Sequence, residues 1–375
     1  MKQDWAFGAI EQLCEIEYGT RVVRKRDAGS KYPTYGGGGA TFFMDEYNRQ
    51  DRMVIARFAM SEQCTRFVKG NFFLNDSGLT ICPKGNNTLD DNFLNYQILA
   101  LNDDIYSLGR GTAQKNLNMD EFKRLNFTYP KTLDEQKRIV AKLDECFEAI
   151  NKARANVEKN LHNSKELFQS QLNQIFSQKG DGWVEKKLGE TTYVKSGGTP
   201  LRSNKEFWDN GQIPWYSSGE LNNLYTEEPK RFITQKGIEN SNAKLFPKGS
   251  LLIGMYDTAA LKMSIIDRDA AFNQAIAGVR PTEGLNLQFL LHSISAIKHN
   301  LLQQRRGVRQ KNLSLRKIMN ISIPTPSFNI QERVVKELNT FRIKTQALES
   351  KYQQKLDALD ELKKSILQKA FNGEL

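Results

Sequence analysis

LDEQKRIVAKLDECFEAINKARANVEKNLHNSKELFQSQLNQIF, residues Leu133–Phe176, returns 195 residues later as FNIQERVVKELNTFRIKTQALESKYQQKLDALDELKKSILQKAF, residues Phe328–Phe371. The shift sends Gln136 to Gln331, Arg138 to Arg333, Val140 to Val335, Leu143 to Leu338, Leu161 to Leu356, Leu167 to Leu362, Ser170 to Ser365, Leu172 to Leu367 and Phe176 to Phe371 without slipping. The lead-in is duplicated too, since Gly111, Gln114, Lys115, Asn116 and Leu117 recur as Gly307, Gln310, Lys311, Asn312 and Leu313, one residue out of step. An internal repeat of this length describes an architecture. Each half of the protein is a separate block followed by a long helix.

Apolar residues recur in both copies at steps of three and four, the spacing of one helix face. Cys146, Ile150, Ala153, Val157, Leu161, Leu167 and Leu172 mark it in the first copy, and Phe341, Leu348, Tyr352, Leu356, Leu359, Leu362 and Ile366 in the second. Lys, Glu, Asp and Gln flank this seam, so it predicts pairing with another helix. Equal lengths and patterns make each copy the natural partner of the other. Arg154, Ser164 and Thr345 interrupt the seam and leave room for a second face that meets a partner protein.

The 375 residues are enough for two or three domains, each with its own core. A formal net charge of +11 and a pI near 9.3 point towards a polyanion. Cys14, Cys64, Cys82 and Cys146 show no CxxC spacing, so neither a zinc site nor a disulfide framework is indicated. No apolar run is long enough to span a membrane, and nothing at the start resembles a leader, which predicts a cytoplasmic protein.

Residues 1–130 form the first block, turn-rich and mostly β, with strand-like segments at Met53–Phe58 and Phe72–Leu74. The glycine run Gly36–Gly39 lacks the GxxxxGK[ST] spacing of a phosphate loop. Arg21, Arg24, Lys25, Arg26, Lys31 and Tyr35 precede it, and Gly37 lies inside it, a combination suited to phosphate contact; a solvated basic loop is the alternative. A long helix covers residues 131–178, and the second block spans residues 179–325. That block opens with Trp183 and Leu188 as the first opens with Trp5 and Leu13. KSGGTP (195–200) and IPWYSSGEL (213–221) gather small and hydrogen-bonding residues. Ser196, Gly197, Thr199, Tyr216, Ser217 and Ser218 are the candidates there for contact with phosphates and base edges. Trp208, Trp215 and Tyr216 also suit plain packing. A helix is expected over Leu287–Leu302, then a basic turn with Arg306, Arg309 and Lys311, the counterpart of Arg110, Gln114 and Lys115. The second long helix occupies residues 326–375.

This order of β-rich block, QKNL, Pro-containing turn, and Gln followed by a patterned helix, run twice, resembles the specificity subunit of type I restriction–modification systems. SGGTP, IPWYSSGEL, Gly307–Leu313 and the terminal FNGEL (371–375) carry the likeness. The first block departs from it, with RDAGSKYPTYGGGG (26–39) where the second has SGGTP to IPWYSSGEL. The resemblance implies an α+β fold of two target recognition domains whose long helices pair as an antiparallel coiled coil with pseudo-two-fold symmetry. It implies a chain that reads a split, asymmetric site on double-stranded DNA without catalysis of its own. Two methyltransferase subunits and the restriction–translocase subunits are the implied partners, and S-adenosylmethionine, ATP and Mg are expected on them, with no cofactor or metal bound here.

The residues agree with a non-catalytic role. No NPPY, P-loop, HExxH or PD…ExK pattern is present, and His162, His292 and His299 fall where surface or packing roles suffice. A coiled-coil scaffold, or a DNA-binding protein that works without restriction partners, is the alternative. A pure scaffold would not need two large dissimilar blocks with basic loops.

Overall fold

The computed structural model describes residues 4–85, 88–178, 180, 182–256, 259–303 and 313–375. The duplicated stretch forms two helices, Leu133–Ser177 and Phe328–Phe371. Thr132 and Ser327 precede them, and their carbonyls accept from the N–H groups of Gln136 and Gln331 at 3.3 and 3.1 Å. Asp134 and Glu135 in the first turn of the first helix complement its positive end. The second helix stops at Gly373, whose φ of +70° suits glycine. There the N–H of Gly373 donates to Ala370 and that of Glu374 to Lys369, so two otherwise orphaned carbonyls are satisfied. The FNGEL ending is thus a helix stop.

The chain folds as two compact units, Met1–Lys159 with Tyr352–Leu375, and Asn160–Lys351. The first holds β1 (Trp5–Ala9), β2 (Cys14–Tyr18), β3 (Tyr32–Tyr35), β4 (Phe43–Met44), β5 (Arg49–Ala56), β6 (Thr65–Leu74), β7 (Gly78–Pro83), β8 (Gly109–Arg110), β9 (Asn116–Leu117) and β10 (Asn126–Pro130). Its main sheet runs β2-β7-β5-β6-β3-β4, with β3 parallel to β6, while β1 pairs with β10 and β8 with β9. Alternation along β5 separates two cores: Met53 and Ile55 join Phe93, Ile98, Leu143 and Phe147, whereas Val54 joins Phe72 and Leu74.

The second unit holds β11 (Val184–Lys187), β12 (Val194–Ser196), β13 (Ile213–Tyr216), β14 (Phe232–Ile233), β15 (Leu251–Gly254), β16 (Met263–Ile265), β17 (Ala271–Phe272), β18 (Ile276–Val279) and β19 (Ser322–Thr325). Its sheets run β12-β18-β15-β16 and β14-β13-β17, with β13 parallel to β17. This is the first unit's order with β6 divided into β16 and β17. Leu251 and Ile253 face one core and Leu252 the other, as along β5. The two blocks that look dissimilar in sequence therefore share one scaffold. Ile10 is the true counterpart of Leu188, in place of Leu13: each is fully buried and donates its N–H across the unit, to Leu125 and to Ile321.

Each unit is closed by the start of one long helix and the end of the other. Gln136 is buried; its amide donates to the carbonyls of Pro130 (2.8 Å) and Thr88 (3.0 Å) and accepts from the N–H of Asp90 (2.7 Å). Asp90 caps the Asp91–Ala100 helix through the N–H groups of Asn92 and Phe93, and Phe93 packs edge-on against Phe371. In the second unit Gln331 repeats these contacts on Pro326, Gly284 and Asn286, Asn286 precedes the Leu287–Gln303 helix, and Phe289 packs against Phe176. The helix expected over Leu287–Leu302 is thus present and one residue longer. Within the first unit Arg138 donates to the Leu375 carbonyl, Lys363 lies over Phe147 and Arg154 pairs with Asp360. Partner numbers fall as those of the first helix rise, so the helices run antiparallel. In the second unit Arg342 over Phe168 and Gln171 on Glu337 follow the same rule.

The seam differs in detail from its sequence reading. Ile150 is buried, and Val157, Leu161, Leu348, Tyr352 and Leu359 are half-buried, but Leu167 and Leu362 are 44% and 47% exposed. Ser164 and Thr345, which look like interruptions, are buried instead, their hydroxyls donating back to Leu161 and Arg342. A hydroxyl satisfied by its own helix is compatible with close packing.

His292 sits at 1% exposure against Phe168, whose ring also lies under Arg342, and its Nε2 has no hydrogen-bond partner among the described residues. Burial first, then the Arg342 charge, pushes its pKa down to about 4 from 6.5. Between those values the unfolded chain binds a proton that the folded chain refuses, so stability falls as pH drops from about 6.5 towards 4. Urea titrations at pH 7 and pH 5 should differ by about 2 kcal/mol from this group. His292→Phe should remove that part of the difference; an unchanged pH dependence would refute the assignment.

Candidate nucleic-acid interface

In the first unit the short helix Arg24–Asp27 presents Arg24 and Lys25 to solvent. Arg26 is turned onto Asp27, with its Nε 2.7 Å from a carboxylate oxygen, and this hydrogen bond holds the Asp27 carboxyl below the usual carboxylate range. Lys31 is exposed at the start of β3. Tyr35 belongs to the scaffold: its ring stands edge-on to Phe72 and its carbonyl accepts from Asn75. Gly37 is buried, and a Cβ on it would lie 2.3 Å from the Phe58 carbonyl oxygen. Its lack of a side chain serves internal packing. Gly38, exposed and with no atom near its Cβ direction, is the glycine of the run that faces open space.

The β8–β9 hairpin carries the QKNL motif. Arg110 is exposed but paired with Glu121 at 2.6 Å, Gln114 donates to Asn116, and the Lys115 ammonium lies 4.0 Å from the centre of the Tyr106 ring. The hairpin is anchored where the N–H of Leu117 donates to Arg57, as Leu313 donates to Met255 in the second unit. Arg306, Arg309 and Lys311 lie outside the described residues.

In the second unit Ser196, Gly197, Gly198 and Thr199 line a polar notch of about 540 Å³ together with Asn242, Lys244 and Gln274. The last three went unnoticed in the sequence, because nothing local ties residues 242–244 and 274 to an SGGT loop. Gly197 is a packing glycine: a Cβ there would lie 2.0 Å from the Phe272 carbonyl oxygen, which excludes any side chain. Tyr216 is 1% exposed, its hydroxyl donates to the Glu227 carbonyl, and burial pushes the phenol above its ordinary range. It cannot reach a ligand and is a core residue, the reading that packing had suggested. Ser217 closes a capping box with Glu220, and Ser218 begins the turn that follows. Trp215 is buried, with Trp208 edge-on to it.

The same hydrogen bonds hold the loop in both units. Gly19 donates to Gly78 and Thr20 to Leu74; Gly197 donates to Ile276 and Gly198 to Phe272. A Cβ on Gly19 would lie 1.8 Å from the Asn75 carbonyl oxygen, and one on Gly197 2.0 Å from that of Phe272 and 2.6 Å from that of Asn273, so the equivalent turn excludes a side chain at both positions. Gly19-Thr20 is therefore the first block's equivalent of the SGGT loop, and YPTYGG (32–37) that of IPWYSS (213–218).

The model of the type I restriction modification DNA specificity domain matches residues 2–159 and 180–358. The chain is 30% identical over 224 residues to the EcoR124I/EcoR124II specificity subunit of Escherichia coli, covering 58% of this chain and 54% of that one. It is 26% identical over 164 residues to the MjaIX specificity subunit of Methanocaldococcus jannaschii, covering 42% and 38%. The matched stretch thus spans about half or less of the length of these curated relatives. Among solved structures, a chain of a type I R-M system superposes with a TM-score of 0.76 at 16% identity, covering 100% of this chain and 99% of that one. The HsdS subunit from Thermoanaerobacter tengcongensis gives 0.57 at 18%, covering 100% and 98%. These likenesses concern the fold. With the family model spanning most of its length, the chain belongs to the type I restriction modification DNA specificity domain family.

Proposed function

We propose that this chain is the DNA-recognition subunit of a type I restriction–modification complex. Each unit reads one half of a split, asymmetric site, and methyl transfer and cleavage reside in partner subunits that carry S-adenosylmethionine, ATP and Mg. The observation that carries the reading is the duplicated scaffold: the residues that hold each loop in place are equivalent, while the side chains the loops present differ. One structural task is performed twice on two different targets. Mapping methylation of host DNA with and without this chain, alongside its methyltransferase partner, tests it. A split motif that disappears with the chain is expected; methyl transfer by the isolated chain with S-adenosylmethionine would sink the non-catalytic assignment.

The basic loops supply affinity that does not depend on sequence. Lys31→Ala should weaken binding to all duplexes alike and lower the slope of log affinity against log salt by about one. A loss confined to certain sequences would make Lys31 a base reader.

Leu167 and Leu362 support two copies of one methyltransferase partner. They are repeat equivalents, and each exposes a comparable part of an apolar side chain on a long helix. Leu167→Glu should remove one bound copy and Leu362→Glu the other, as read by sedimentation at saturating partner. Two copies retained by both variants would place the partner elsewhere.

A further inference from the structure

The two units allow an internal comparison, because the turns that hold their loops are the same down to individual hydrogen bonds. Asn75 donates its N–H to Tyr35 and Asn273 to Tyr216, at 2.8 and 2.9 Å. Each asparagine side chain then accepts from the N–H two residues on, of Ser77 and of Ala275, at 3.0 and 3.1 Å. Asp76 and Gln274 are therefore the residues that equivalent turns present. Facing them are the loops pinned by Gly19 and Gly197, and the residues two positions beyond those glycines are Arg21 and Thr199. These backbone and asparagine hydrogen bonds are repeated between the units, although the Ser77 hydroxyl, which bonds Asn75 and Gly37, has no counterpart at Ala275; the side chains at the rims are exchanged for different chemistry.

In the second unit the rim is already assembled. The Thr199 hydroxyl donates to the Gln274 carbonyl at 2.5 Å, which leaves the Gln274 amide N–H groups for a ligand. Lys244 and Asn242 complete the notch. This set is rich in donors, and the major-groove edge of guanine offers two acceptors, N7 and O6. In the first unit Arg21 is exposed and Asp76 half-buried, and no hydrogen bond or ion pair engages either among the described residues. A guanidinium matches guanine, and a carboxylate accepts from the N4 amino group of cytosine.

Resting on the DNA-recognition reading above, we infer that base discrimination is carried by these equivalent rims, Arg21 and Asp76 for one half-site and Thr199 and Gln274, with Asn242 and Lys244, for the other. The shared glycines and asparagines set where the rims stand. The exchanged side chains set which bases they accept.

The test uses the whole chain in complex with its methyltransferase partner, with host-genome methylation mapped for the parent and for Thr199→Val, Gln274→Ala, Arg21→Ala and Asp76→Asn. Thr199→Val and Gln274→Ala should each alter preference by about tenfold or more at a position of one half-site and leave the other half unchanged. Arg21→Ala and Asp76→Asn should do the same in the other half. If Gln274→Ala fails to fold, the isosteric Gln274→Glu, which replaces donors by acceptors, takes its place. Retained methylation with an unaltered motif overturns the inference. So does a uniform loss over all sequences, which would make the rims phosphate contacts, and so does one variant altering both halves. A parent complex that methylates no split site would instead sink the DNA-recognition reading, and the inference with it.

Discussion

Exchanging residues 182–325 for the corresponding block of a relative is expected to change one half of the methylated sequence and leave the other half intact. The exchange is structurally permitted because Gln331 holds that block through backbone atoms alone, the carbonyl of Gly284 and the N–H of Asn286, while its third partner, the Pro326 carbonyl, stays in place. A different sequence with the same turn satisfies it equally well. Side chains also meet at the junction, where Phe289 packs on Phe176, His292 on Phe168, and Gln288 accepts from the Asn339 amide, so the incoming block should supply compatible groups at these three positions. Each base pair wrongly read costs about 1–3 kcal/mol, roughly additively, so a half-site of several pairs should lose about three or more orders of magnitude in relative modification of the original motif. Genome-wide methylation mapping reads this directly. An exchange that altered both halves would mean the units read DNA jointly, and one that altered neither would place recognition outside the blocks.

Gln136→Leu should destabilise the first unit by about 3–5 kcal/mol, far beyond the effect of an ordinary surface change. The substitution keeps the volume but strands three backbone groups, the carbonyls of Pro130 and Thr88 and the N–H of Asp90, each bonded to the Gln136 amide at 2.7–3.0 Å. Buried polar groups left without partners cost about 1–3 kcal/mol apiece. Urea unfolding gives the total, and hydrogen exchange locates it: amides of the Asp91–Ala100 helix should lose protection first. Gln331→Leu should act in the same way on the Leu287–Gln303 helix. A change below about 1 kcal/mol in both variants would show that water or a neighbour replaces the amide.

Gln136 and Gln331 also mark the boundary between what the chain announces locally and what it does not. Their repetition at a constant spacing is visible in the sequence, as are the two long helices, the β-rich blocks between them and the family resemblance, because helix periodicity and a duplicated run are properties of residues close along the chain. Their role is not visible, since it depends on Thr88 and Asp90, more than 40 residues upstream. The common scaffold of the blocks is hidden for the same reason. Gly19 and Gly197 are 178 residues apart and Asn75 and Asn273 are 198 apart, because intervening loops differ in length, so no single shift aligns them. Glycine at 197 suggested close approach to a ligand, whereas the atom that excludes a side chain is the carbonyl oxygen of Phe272. Tyr216 suggested a contact for DNA, and its hydroxyl is spent on Glu227 in the core. Leu167 and Leu362 fit the seam by spacing but face outward, while Ser164 and Thr345 are buried, because which side of a helix is covered is settled by what packs on it. Sequence by itself determined the helices, their duplication and the number of blocks; tertiary structure alone decided which glycines, tyrosines and rim side chains are free to meet a ligand, because that rests on partners on other elements, from 11 residues along the chain for Tyr216 to 75 for Thr199.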